Sequence, residues 1–165
     1  MTQPQHELTE TGSIVDIEAI YREHYSRFLR FAVANLGDVE SGRDAVHEAF
    51  VRAIRSLSDF RGEGRPESWL WQILVNVCTA EKRRRVVPID DSPLTTSVDE
   101  HEWPEIRAAI ASLPERQRTI LFLRHYADLD YDQIGAVLGI ARGTVAATLN
   151  TAHTKLRTVL GEVKR

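Results

Sequence analysis

Residues 113–160, LPERQRTILFLRHYADLDYDQIGAVLGIARGTVAATLNTAHTKLRTVL, carry two apolar periodicities broken at the turn Leu138-Gly139-Ile140, and that break limits what the segment can become. Ile134, Val137 and Leu138 recur at helical spacing before the break. Val145, Leu149, Ala152, Leu156 and Leu160 recur after it, as the buried stripe of a longer helix expected to begin at Gly143 or Thr144. Asp130 stands where a carboxylate can accept the first free backbone N–H groups of a helix, and Gly139 supplies a residue tolerant of the left-handed turn. Two short helices meeting at a tight turn, with a longer one following, form the layout of a helix-turn-helix, whose second helix lies in the major groove of DNA. A plain helical hairpin shares the periodicity, but the LPERQR lead-in and the GTV start are more specific than generic amphipathicity.

The rest of the chain is helical in pattern as well. Ile17, Ile20, Tyr21, Tyr25, Phe28, Leu29 and Ala32 predict a first helix from about residue 15 to Leu36, stopped at Gly37-Asp38, with residues 1–14 unstructured. Val46, Ala49, Phe50, Ala53, Ile54 and Leu57 predict a second helix over residues 40–58. The loop of residues 60–66, FRGEGRP, is broken by two glycines, and Pro66 suits the first turn of a third helix reaching Arg85. In that helix Trp69, Leu70, Ile73, Leu74 and Val77 are placed inward. Trp69 and Trp71 diverge by about 200° on a helix, so Trp71 is expected on an exposed stacking or partner surface. Residues 86–102, VVPIDDSPLTTSVDEHE, have two prolines and little periodicity and read as a linker. Pro104 then opens a helix, Pro114 interrupts, and residues 117–126 form the next. No period-2 stretch is long enough for a strand. The expected fold is all-α: a small helical domain over residues 15–85, a flexible acidic linker, and a second over residues 103–165 ending in the helix-turn-helix.

Charge is distributed unevenly along that plan. The net charge is −3, too weak to mark a simple polyanion binder. Residues 1–85 carry 12 Lys/Arg and 13 Asp/Glu, residues 86–102 five acids and no Lys/Arg, and residues 103–165 nine Lys/Arg and six Asp/Glu. A basic C-terminal module is thus tied to a near-neutral one by an acidic string. Cys78 is the sole cysteine, so neither an intramolecular disulfide nor a cysteine-cluster zinc site is available, and a core or half-buried thiol is expected. The six histidines form no ligand spacing with carboxylates, and no phosphate-binding glycine loop or nucleophilic serine motif occurs. No metal, cofactor or catalytic residue is expected; His125 and His153 read as ordinary helix-surface residues. The polar start and the lack of a long apolar run predict neither a secretory signal nor a membrane span, so the chain is expected to be cytoplasmic.

Three blocks in this order carry a family resemblance. DAVHEAFVRAIR at 44–55 with LSDFRG at 57–62 is similar to the core-polymerase-binding helix of the extracytoplasmic-function sigma factors, in the sigma-70 family of RNA polymerase. WLWQILVN at 69–76, followed by KRRR at 82–85, resembles the helix that reads the −10 promoter element. The helix-turn-helix resembles the domain that binds the −35 element. The likeness spans roughly residues 15–160. It implies a dissociable sigma subunit that binds core polymerase, through the β′ coiled coil and the β flap, and directs promoter recognition and initiation, with an anti-sigma factor as a further partner.

The resemblance also assigns roles. Asp44, His47, Glu48, Arg52 and Arg55 would face the polymerase. Opening a promoter requires a base to leave the stack and be held, which calls for a backbone-rich loop beside a rigid polar helix. Phe60, Arg61, Gly62, Arg65, Trp71 and Asn76 would form that pocket, with Asn76 reading a base edge by its amide. Lys82, Arg83, Arg84 and Arg85 would bind promoter phosphates, exceeding what a helix dipole needs. Asp90, Asp91, Asp99, Glu100 and Glu102 would thread the polymerase cleft as a nucleic-acid mimic or serve as a solubilising spacer. On the upstream side Arg116, Arg124, Arg142, Thr144, Ala147, Thr148, Asn150, Thr151 and Lys155 would meet DNA.

One feature departs from the family. Residues 143–154, GTVAATLNTAHT, contain no Lys or Arg, whereas the family's recognition helices usually interleave them. Arginine–guanine contacts are unavailable there. Two other function classes therefore stand beside a sigma factor: a stand-alone helix-turn-helix regulator, and a sigma-like interaction protein with weakened promoter reading.

Overall fold

The computed structural model describes residues 7–60, 65–85 and 104–163. Among these there are seven α-helices and no strand. The chain divides into two compact units, residues 1–85 and 86–165.

The first unit is three packed helices, α1 (Glu7–Leu36), α2 (Val39–Arg55) and α3 (Pro66–Arg84), with a one-turn 3-10 helix, Leu57–Asp59, after α2. α1 begins ahead of its expected start, so residues 7–14 are helical rather than unstructured. A helix is costly to nucleate but cheap to extend, and the packed part of α1 supplies the nucleus. Gly37, at φ 90, ends α1, and Asp38 caps α2 by accepting the Ser41 N–H at 2.8 Å. That hydrogen bond, with help from the Ser41 hydroxyl and then Arg85, holds the Asp38 carboxyl below its ordinary value.

The core of this unit is aromatic. Trp71 lies 4.5 Å from Phe28 and 5.5 Å from Phe31 between ring centroids, and it is 2 % exposed. Its expected exposed position is therefore corrected. α3 packs against both α1 and α2, so its buried arc is wide and centres on Leu70, Trp71, Leu74, Val75 and Cys78. Trp69 lies at the rim, half-buried against Phe60 at 5.1 Å. Cys78 is buried, and the desolvation pushes its thiol up to about 12, so it stays protonated and unreactive. Ile54, assigned to the core by its spacing, is instead 50 % exposed.

The second unit packs α4 (Pro104–Ala111), α5 (Glu115–His125) and α6 (Tyr131–Leu138) around α7 (Arg142–Val163). Ile120, Leu123, Ile134, Val145, Leu149 and Ala152 form its core. The acidic segment 86–102 lies outside the described residues.

Candidate nucleic-acid and polymerase interface

The helix-turn-helix is built by local chemistry. Asp130 accepts the Gln133 N–H at 2.8 Å while the Gln133 side chain accepts the Asp130 N–H at 2.8 Å, a reciprocal cap that starts α6. Gly139 ends it at φ 65, with its N–H bonded to the Gly135 carbonyl. The chain then turns so closely that a Cβ on Gly135 would sit 2.7 Å from the Ile140 carbonyl oxygen. α7 starts at Arg142, slightly before the expected position, because the Thr144 and Val145 N–H groups already bond the Ala141 carbonyl.

The face of α7 away from the core presents Thr144, Ala147, Asn150, Thr151 and Lys155, with Thr148 half-buried beside them. The threonine hydroxyls turn back onto the helix. Thr148 donates to the Thr144 carbonyl at 2.7 Å, Thr151 to Ala147 at 3.0 Å and Thr154 to Asn150 at 2.9 Å. What these side chains offer outward is methyl surface, with the Asn150 amide as the polar reader among them.

The arginines around this helix divide into two groups. Arg124 donates to the Leu129 carbonyl at 3.3 Å, lies 3.9 Å from Asp128 and 6.0 Å above the Tyr131 ring, and so braces the turn into α6. Arg118 donates to the Ala111 carbonyl at 2.9 Å and closes the end of α4. Arg116, Lys155 and Arg157 are exposed, and Arg142 is exposed with Asp132 at 3.8 Å.

In the first unit, Asp44, His47, Arg52 and Arg55 are exposed on one side of α2, with Glu48 half-buried among them. Glu48 accepts from Arg52 Nε at 2.6 Å, which holds its carboxyl below the usual range. Ile54 joins this face beside His47, an apolar group that core-directed spacing had hidden.

On α3, Trp69, Gln72, Asn76 and Arg83 follow one another at three-, four- and seven-residue steps, and so share a side of the helix. Gln72, Asn76 and Arg83 are exposed there, with the Phe60–Trp69 pair at the end nearest the loop. From sequence alone Trp69 is assigned to the core and Gln72 is given no role, although this spacing is readable. Arg61 and Gly62 lie outside the described residues, and Arg65, exposed, precedes the first turn of α3.

The basic run at the end of α3 is divided in the same way. Arg85 donates to the Leu36 carbonyl at 2.7 Å and to the Ser41 hydroxyl, with Asp38 at 3.7 Å and Glu81 at 3.6 Å. Lys82 donates to Asn35 Oδ1 at 3.0 Å. Both tie α3 back to the end of α1. Arg83 and Arg84 are left facing solvent, Arg84 with Glu81 at 3.8 Å.

Residues 20–86 match sigma-70 region 2, and residues 104–156 match sigma-70 region 4. The chain is 30% identical to the ECF RNA polymerase sigma factor EcfG of Rhodopseudomonas palustris, over 79% of this chain and 77% of that protein. It is 25% identical to the RNA polymerase sigma factor YlaC of Bacillus subtilis, over 86% of this chain and 90% of that one. Its fold is similar to that of the sigma factor RpoE of Bartonella quintana, solved with the anti-sigma factor NepR. There the TM-score is 0.73 at 19% identity, covering 91% of this chain and 99% of that one. A similar likeness, TM-score 0.70 at 19% identity over 93% and 92% of the two chains, holds for CnrH in complex with the cytosolic domain of CnrY. The chain belongs to the extracytoplasmic-function sigma factors of the sigma-70 family.

Proposed function

We propose that this alternative sigma factor binds core RNA polymerase through the outer face of α2, opens the −10 element on α3, and holds upstream DNA with α7. The observation that carries this reading is the line Trp69, Gln72, Asn76 and Arg83 on one side of α3, beside the Phe60 ring. It combines an aromatic platform, two amides and a phosphate-directed cation along one rigid helix, which is what an unstacked base and its backbone require. Arg83 and Arg84 take the phosphate role, whereas Lys82 and Arg85 hold the helix that carries them. On α2 the Glu48–Arg52 pair sets orientation and Ile54 gives the docking face an apolar anchor. RNA synthesis stays with the polymerase, and the protein acts in the cytoplasm, where its template is. Residues 86–102 tether the two units.

The upstream interface is of a different kind. Methyl groups on α7 suit thymine methyls and Asn150 suits an adenine edge, while Arg116, Arg142 and Lys155 supply phosphate contacts. An anti-sigma factor fits as a further partner, since the RpoE and CnrH structures each hold one. The weak charge of α7 also favours a second reading, a sigma scaffold that binds polymerase with little promoter reading.

Reconstitution separates the two. The purified chain with core polymerase is expected to give defined transcription starts from a genomic promoter library. Core binding without any promoter-dependent start would leave only the second reading; absence of core binding would end both. Within the active complex, Arg83→Ala with Arg84→Ala should weaken all promoters alike and lower the salt dependence by about 1 per lost phosphate contact.

A further inference from the structure

We propose that His125 and His153 form a chelate for a divalent transition-metal ion of the zinc, nickel and copper class, clipping α7 to α5. The two residues stand on different helices, yet their Nε2 atoms face each other at 3.0 Å, with ring centroids 5.2 Å apart and planes at 57°. Imidazole nitrogens bind such ions at about 2.0–2.1 Å, and two bonds meeting at roughly 90° put the nitrogens roughly 3 Å apart. The pair therefore has the bite of two adjacent ligands without any movement of backbone.

The backbones are also fixed. Leu123 on α5, and Leu149 and Ala152 on α7, are almost wholly buried, so the backbone positions that carry the two rings are set by the core. A hydrogen bond alone needs one N–H and one lone pair, and either ring could form it with water. An ion takes one lone pair from each neutral ring, at a point off the Nε2–Nε2 line that small turns of the two imidazoles bring into reach. The geometry offers it nitrogen rather than oxygen, which selects against magnesium and calcium. No group of three or more ligating His, Cys, Asp or Glu side chains occurs among the described residues, so water completes the coordination shell. Such a site holds its ion reversibly. It adds a cation to the stretch 143–154, which carries no Lys or Arg of its own.

The test is calorimetric titration of the full chain with Zn²⁺, Ni²⁺, Cu²⁺ or Mg²⁺ alone, together with imidazole ¹⁵N spectra. Expected are saturable one-to-one binding strongest for Cu²⁺, none for Mg²⁺, and a raised unfolding midpoint with bound metal. The His125 and His153 Nε2 signals should shift or broaden while those of the other four histidines stay in place. His125→Asn and His153→Asn should each abolish saturable binding. Absence of saturable binding, its persistence in the double variant, or shifts confined to His24 or His47 would overturn the site; the spectra of the unaltered chain decide the matter even if a variant folds poorly.

Discussion

Arg85 shows how a charged side chain can be structural at a position that reads as ligand-binding. Its guanidinium reaches a carbonyl at the end of α1, the Ser41 hydroxyl and the Asp38 carboxylate, at the junction of all three helices of its unit. From sequence it was one of four adjacent cations, because its partners lie far back in the chain. The two tryptophans posed a related problem. Leu70, Leu74 and Val77 are buried as their spacing implies, but packing against two neighbouring helices buries Trp71, Val75 and Cys78 as well and leaves Trp69 and Ile73 at the rim. Trp71→Ala should therefore cost about 3–5 kcal/mol of stability, and Trp69→Ala about 1–2 kcal/mol. Denaturant unfolding of both variants checks this; equal losses would contradict the assignment. Asp38 gives a prediction with a pH sign. Its folded carboxyl titrates below the ordinary 3.8, so its contribution is complete above that value and is lost as pH falls through the folded value. Asp38→Ala should cost about 1 kcal/mol near neutral pH, from the lost cap, and progressively less below pH 3.8.

At the scale of elements, the helix-turn-helix was the most legible part of the chain, and the reason is physical. Its determinants are local: a cap three residues from its partner, a glycine at the left-handed position, and an apolar period on each side. Asp130, Gly139 and the stripe through Val145, Leu149 and Ala152 all stand where spacing placed them. What spacing left out was how tightly the turn closes. Gly135 admits no Cβ because the Ile140 carbonyl occupies that space, and the same glycine carbonyl accepts the Ile140 N–H at 3.0 Å. The obstacle is backbone, which cannot swing aside as a side chain can. Gly135→Ala is therefore expected to destabilise the second unit by about 1–3 kcal/mol and to displace the start of α7. The unfolding midpoint and the amide signals of residues 139–145 would report it; an unchanged turn would mean that the backbone yields more easily than its hydrogen bonds imply. The same reasoning explains the missed exposure of Ile54. Its spacing fits the α2 core, but two neighbouring helices are too few to cover that side.

For the whole molecule, the division of charge and of reading chemistry between the units matters more than either alone. The first unit carries the aromatic and amide line of α3 with two outward arginines. The second presents methyl groups, one amide and a few peripheral cations, since Arg118 and Arg124 are engaged in holding its helices together. A surface of that kind lacks the guanidinium contacts that give strong discrimination, each worth about 1–3 kcal/mol. Residues 104–165 alone should then bind duplex DNA in the range of non-specific affinities, about 10⁻⁴ to 10⁻⁶ M, with little preference among sequences. In the complete protein on polymerase, a −10 contact made by the first unit would turn the second contact into an intramolecular one and so raise its effective concentration. Weak upstream contacts then suffice to add occupancy. Installing arginine by Thr148→Arg or Thr151→Arg should strengthen the isolated unit by adding a phosphate or guanine contact. The measurement is affinity across a randomised duplex library at fixed salt. Tight enrichment of one sequence by the unaltered unit would show that Asn150 and the threonine methyls read DNA without cationic help, and that the tether is not what makes upstream binding effective.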